Sequence, residues 1–275
     1  MTRKRRVRKR DRRLASAIVI LAMITIACLF VFCIFRFALG EYEGLGEKMS
    51  VSASPYSEDG FYEENGNLLY EDSRYTSEAG VDVSVYQGKI NWKKVRKQGI
   101  SFAMIRVGYR ATDSGRIQED SRFAENLKNA KAAGLKVGVY FFSQANSVEE
   151  AVEEARYVVR KIRGKEVSMP VAFDMEETSG SRIGNLTRKQ KTEIADAFCT
   201  TIQSHGYVPM VYGNPRWLLT DINLGYLTRY PVWLAHYTDK TSYPFVFSMW
   251  QYSNKAKVKG ISRKTDMNIY FVRKQ

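Results

Sequence analysis

Asp174 and Glu176 stand two residues apart at the end of an apolar run, in Phe173-Asp174-Met175-Glu176. Alternate side chains of a strand share a face, so the two carboxyls project together. An acid is costly in such a segment. Two acids crowded on one face also split their proton affinities, one raised and the other left low. Glycoside hydrolysis requires that split, with one protonated acid beside one ionised carboxylate. A strand end closed by a salt bridge would use the same residues, so the pair gains meaning only from its company. Asp82 ends the first candidate strand and Asp266 begins the last, which brings them together if the sheet closes. Aromatic residues stand near the other strand ends: Tyr140, Phe142, Tyr212, Trp233, Tyr237, Trp250 and Tyr252, with Tyr86 after the first strand and Gln251 beside Trp250. Sugars offer flat CH faces and hydroxyls, so aromatic platforms among acids are the expected lining.

Other chemistries lack their residues. The chain has two histidines, His205 and His236, and no HExxH, so no metal or other cofactor is expected. There is no phosphate-binding Gly loop and no GxSxG elbow. Of three cysteines, Cys28 and Cys33 fall in an N-terminal apolar stretch. Cys199 lies on an apolar-periodic helix, where a buried thiol is expected.

The elements that must hold the acids recur from residue 80 onward. β-rich runs span 81–85, 102–108, 136–142, 169–174, 207–212, 231–235, 247–252 and 267–272, several of them continuously apolar, as strands buried on both faces are. Helical patterns at 91–98, 120–133, 147–162 and 187–204 separate the early runs, the last opening with the capping box Thr187-x-x-Gln190. Strand and helix alternating at this spacing predict an α/β fold, a TIM-like (β/α) barrel whose last portion is irregular and helix-poor. Chemistry in such barrels gathers at the C-terminal ends of the strands.

The formal net charge of +14 on 275 residues averages four different regions. Residues 1–13 carry +8 and residues 14–39 only Arg36; residues 40–79 carry −8, and residues 80–275 carry +13. Leu14 to Phe35 is 22 uncharged, mostly apolar residues, long enough to span a bilayer and longer than a signal-peptide core. Small residues at Ala38-Leu39-Gly40 would suit a signal peptidase, but the length favours an uncleaved anchor. The expected layout is a cytoplasmic basic tail (1–13), a transmembrane signal-anchor helix (14–39) in the lipid bilayer, an acidic stalk (40–79) and an extracellular catalytic barrel (80–275). The basic tail is a topology signal, so no nucleic-acid partner is expected. The +13 domain would be drawn toward polyanions outside the cell.

The set of motifs resembles glycoside hydrolase family 25, the muramidase-type lysozymes. Gly80-Val81-Asp82-Val83-Ser84, Gln87-Gly88 and Ile90-Asn91-Trp92 resemble its opening. They are followed in order by Ile105-Arg106, the run Ala133–Phe142, Phe173-Asp174-Met175-Glu176, Val211-Tyr212, Trp233-Leu234-Ala235, Trp250-Gln251-Tyr252 and Asp266-Met267-Asn268. The resemblance covers 80–275. It implies a flattened barrel and an endo-acting hydrolase of the β-1,4 bond between N-acetylmuramic acid and N-acetylglucosamine in peptidoglycan. It also implies Glu176 as general acid, Asp174 as its charged neighbour, and Asp82 and Asp266 as the acidic floor. One departure is Val85-Tyr86, where the family commonly has a polar residue and Trp before Gln-Gly. Two alternatives share the groove: a wall-binding module without turnover, and an endo-glycosidase of another N-acetylated polymer such as chitin. Strand spacing places the Asp174 and Glu176 backbones roughly 6.5 Å apart, between the retaining and inverting ranges, so it does not choose the second step. Attack by the substrate's own acetamido oxygen, with Asp174 orienting it, is the expected route.

Overall fold

The computed structural model describes residues 51–275. The expected basic tail, the anchor helix at 14–39 and the first part of the stalk lie outside the described residues. Among the described residues, no helix is long and apolar enough to cross a membrane.

Eight strands close a barrel: β3 (Tyr75–Val83), β4 (Phe102–Arg110), β6 (Lys136–Ser143), β7 (Val171–Met175), β8 (Pro209–Gly213), β9 (Val232–Ala235), β10 (Met249–Ala256) and β11 (Thr265–Arg273). The order around it is β3-β11-β10-β9-β8-β7-β6-β4, completed by β4 against β3, while β5 (Ile117–Glu119) lies antiparallel on β4. Pairings from β3 through β4 and β6 to β10 are parallel; β11 runs antiparallel to both of its neighbours. Reversal of β11 carries its N-terminal end, with Asp266, to the mouth where the parallel strands have their C-terminal ends. There Asp266 is the register partner of Asp82.

Helices α1 (Trp92–Lys97), α2 (Phe123–Ala132), α3 (Val148–Ile162) and α4 (Arg188–Ser204) follow the early strands. Their starts obey the side chains read from the sequence. Asn91 and Ser147 each accept a backbone N–H of the first turn, and Thr187 with Gln190 forms a full capping box. After β8 the connections hold only short turns of 3-10 and π geometry, so the last portion is helix-poor.

Inside the barrel, alternation selects one set of side chains from each strand. Phe102 and Met104 of β4, Ala172 of β7, Met210 of β8 and Met249 of β10 fill the lower interior, with Tyr212 and Trp233 above them. Glycines make this filling possible: a Cβ on Gly80 would stand 2.2 Å from the Phe102 ring, and one on Gly138 2.4 Å from Met104 Sδ. The apolar plug makes the barrel a platform, and only its mouth is open to chemistry.

The barrel domain begins earlier than residue 80, which corrects the stalk boundary for residues 51–79. Phe61–Glu64 (β1) and Asn67–Tyr70 (β2) form a hairpin turned by Asn65-Gly66, both with positive φ, and β3 itself starts at Tyr75. Tyr56 stacks on Phe271 with ring centroids 3.8 Å apart and donates its hydroxyl to Phe247 O, and Tyr70 is fully buried. Five aromatic rings in an acidic, serine-rich segment supply enough apolar area to dock it, while its charges stay in water.

Candidate active site

The strand ends at the mouth enclose a groove of about 220 Å³. Side chains of Asp82, Asp174, Glu176 and Asp266 all line it, as do Tyr86, Tyr140, Phe142, Tyr212, Trp233, Tyr237 and Gln251. Trp250 does not, and its expected role as a platform is corrected. Its neighbour Gln251 faces the groove, so alternation sends the Trp250 ring outward. There it is fully buried, packs edge-on to Phe61 of the hairpin at 5.6 Å, and donates Nε1–H to His236 O.

Asp82 is fixed by two amides. Gln251 Nε2 and Asn268 Nδ2 each donate to its Oδ2 at 2.8 Å. The amides are themselves oriented: Tyr212 and Tyr237 hydroxyls both donate to Gln251 Oε1 at 2.9 Å, and Trp233 Nε1 donates to Asn268 Oδ1 at 2.8 Å. With each amide oxygen occupied by donors, each NH2 is left to face the carboxylate. Burial pushes Asp82 up to about 6, against the lowering effect of those two hydrogen bonds. Asp266 rises further, to about 8, through burial and then the charge of Asp82.

Asp174 and Glu176 are in hydrogen-bonding contact, side chain to side chain. Asp174 is 5% exposed, and burial followed by the charge of Glu176 holds it well above the usual carboxylate range. Burial also raises Glu176, which is partly exposed, while the bond from Asp174 lowers it. Burial and the neighbouring charge thus favour a proton on Asp174 facing the Glu176 carboxylate. Asp174 Oδ1 is buried and has no hydrogen-bond partner. A buried open acceptor costs free energy unless something binds there.

Four further residues were not singled out as site residues from the sequence. Ser84 and Gln87 line the groove and cap the short turn after β3, Ser84 N donating to Gln87 Oε1. Asn268 is the amide that fixes Asp82. Arg106 lines the groove from β4, where a charge inside an apolar strand was itself the signal. Its Nε and guanidinium are committed to the buried Asp120, both at 2.9 Å, and its face meets the Tyr86 ring at 5.1 Å. Tyr86 is 64% exposed and Tyr237 50%, so these two rings form the open rim, whereas Tyr212 and Trp233 are buried in the base. Gln144 positions the pair from behind, donating Nε2–H to Glu176 O at 2.8 Å while its Oε1 accepts from Ser181 and Arg182. Among the described residues, no three His, Cys, Asp or Glu side chains are grouped to hold a metal ion.

Comparison with known proteins bears on this groove. The chain is 30% identical over 201 residues to Lysozyme M1 of Streptomyces globisporus, covering 69% of this chain and 66% of that protein. Among solved structures, the bacterial lysozyme of Streptomyces coelicolor superposes with a TM-score of 0.59 at 26% identity, over 72% of this chain and 93% of that one. The modular autolysin LytC of Streptococcus pneumoniae, solved with a synthetic peptidoglycan ligand, shares the fold with a TM-score of 0.65 at 22% identity. That match covers 77% of this chain, which spans about half (52%) of the autolysin. The description Glycosyl hydrolases family 25 matches residues 81–261, a span that includes Asp82, the Asp174–Glu176 pair and the groove's aromatic walls. The chain belongs to glycosyl hydrolases family 25 and is a glycoside hydrolase.

Proposed function

We propose that the chain is a membrane-anchored N-acetylmuramidase that cuts the β-1,4 bond between N-acetylmuramic acid and N-acetylglucosamine in peptidoglycan. One observation carries the mechanism: two carboxyls in hydrogen-bonding contact, with a buried acceptor open beside them. Carboxyls in contact leave no room for a water between them, as an inverting pair about 6.5–9.5 Å apart would, nor for a sugar carbon between acid and nucleophile at about 5 Å. Both members act on one side of the scissile bond.

The acetamido N–H of the bound sugar donates to Asp174, and the Asp174 proton passes to Glu176. Glu176 protonates the glycosidic oxygen as the acetamido carbonyl oxygen attacks the anomeric carbon. The bond to the leaving sugar breaks, and a cyclic oxazolinium forms, its N–H held by the Asp174 carboxylate. Glu176, now a carboxylate, takes a proton from the incoming water, which opens the ring and restores the acetamido group. Asp82 and Asp266 set a negative floor that favours the positive charge developing at the anomeric carbon. Tyr86 and Tyr237 stack on the sugars to either side. The name of Lysozyme M1 and the peptidoglycan ligand of the autolysin structure support this substrate.

In the same reading, residues 14–39 span the cytoplasmic membrane, residues 1–13 remain inside, and the barrel works on the wall outside. The apolar length and its basic flank support that placement.

The test is digestion of purified peptidoglycan by the full chain. New reducing ends on muramic acid that disappear in Glu176→Gln support the proposal. Binding without cleavage would favour a wall-binding module, and cleavage of chitin oligomers but not of the wall would favour another N-acetylated substrate.

A further inference from the structure

A cleft roomier than the acidic groove lies elsewhere on the barrel. It holds about 470 Å³ between the start of α1 and the end of α2, over Ile90 and Trp92, with Lys89 and Lys93 on its rim. Two segments without a single acid border it. Residues 83–112 contain no acid, nor do residues 240–265. Five exposed basic side chains fall between Lys89 and Lys97, and five more between Lys255 and Lys264. The fold joins the two segments. Asn91 N donates to Gly260 O at 2.8 Å, Lys259 N donates to Gln98 Oε1 at 2.7 Å, and a Cβ on Gly260 would stand 2.5 Å from Asn91 O.

None of these ten cations forms an ion pair with another described residue. The fourteen ion pairs among the described residues all lie elsewhere, even though surface lysines such as Lys136, Lys161 and Lys240 find partners. Glu63 and Glu64, on the hairpin that passes Gly99, make no ion pair with them. Ten like charges held on one face repel one another, a cost relieved only by a bound polyanion or its counterions. The face also continues into the catalytic mouth: Arg263 donates to Tyr86 O, and Gln87, which lines the groove, donates to Lys264 O.

We propose that this face, from the α1–α2 cleft to Arg263, is a binding track for a linear phosphodiester polyanion lying beside the glycan in the wall. Such a polymer brings regularly spaced charges that match a row of lysines, and it is thin enough to enter the cleft. A lipid surface fits the face less well. Docking on a membrane calls for apolar side chains to insert beside the cations, and neither Lys89–Lys97 nor Lys255–Lys264 holds an exposed large apolar residue. The track uses none of the groove's acids and does not depend on the hydrolytic reading.

The test titrates the full chain, in neutral detergent micelles, with fluorescently labelled poly(glycerol phosphate) in the absence of any glycan. The patch variant is Lys89→Gln/Lys93→Gln/Lys257→Gln/Lys259→Gln. The control removes as many charges from the tail, Arg3→Gln/Arg5→Gln/Arg8→Gln/Arg10→Gln, and thermal melts verify that both are folded. The expected result is binding weakened at least about tenfold in the patch variant, with a shallower salt dependence, and within about twofold of wild type in the control. Equal losses in both variants, or none in the patch variant, would overturn the track. So would a patch variant that keeps the polymer but loses phosphatidylglycerol vesicles, because that outcome assigns the face to a membrane.

Discussion

Two clusters of buried acids lie near the mouth of this barrel, and their surroundings give them opposite uses. Glu154 on α3 is fully buried, yet its oxygens are taken by Arg110 Nε at 2.7 Å and Ser143 Oγ at 2.6 Å. Arg110 spends its remaining donors on Gly115 O, Glu150 O and Glu153. Burial still pushes Glu154 up to about 7, against the lowering effect of those partners. The groove acids have no cation to themselves. Arg106 is bound to Asp120, so Asp82, Asp174, Glu176 and Asp266 meet mainly amides and one another. The paired cluster locks α3 to the sheet and to the loop carrying Gln144. In the unpaired one, burial and mutual repulsion raise all four acids above their usual range, and an acceptor is left open. Burial is common to both; a partnered cation separates structure from chemistry.

Variants should separate the two clusters in the same way. Glu176→Gln should lower kcat on peptidoglycan by about 10²–10⁴-fold, since it removes the proposed general acid, without lowering the melting temperature. Arg110→Met should do the reverse. It leaves Glu154 buried without its charge partner and should cost about 3–5 kcal/mol in denaturant unfolding, with most of that recovered in Arg110→Met/Glu154→Leu.

Asp266→Asn should stabilise the fold. A carboxyl raised from its unfolded value near 3.8 to about 8 makes the native state bind more protons than the unfolded one across that window. Wild-type stability therefore falls as pH rises from about 4 to about 8. The variant escapes this loss, so its advantage in melting temperature should be absent below pH 4, grow with pH, and be largest above pH 8. A destabilised Asp266→Asn at pH 8 would place Asp266 with the structural acids. The smallest effect is expected at the rim: Tyr86→Ala should raise KM about 3–10-fold with little change in kcat, because one stacking face is lost.

Much of the fold was legible because its signals are local. Apolar runs, Asn91, Ser147 and Thr187 as helix caps, and the acid pair at i and i+2 each report on a few neighbouring residues. The misses came from tertiary context. Tyr75–Ala79 reads as Tyr-Thr-Ser-Glu-Ala, too polar to stand out, and becomes strand because β11 pairs along its whole length. Trp250 carries a platform residue's chemistry, but strand alternation had already assigned the groove face to Gln251. Arg106 and Asn268 share the groove face with Met104 and Asp266 by the same alternation. Applied to every strand, it would have found them.

The central claim is that the groove retains a proton at neutral pH, shared by Asp174 and Glu176. Carbon-13 carboxyl NMR of the labelled chain, titrated from pH 3 to pH 9, tests it directly. The account predicts that the Asp174 carboxyl resonance keeps its protonated shift at pH 7, and that Glu176→Gln, which removes the neighbouring charge, lowers its midpoint. Resonances of both carboxyls at their ionised positions by pH 5, unchanged by that substitution, would contradict it.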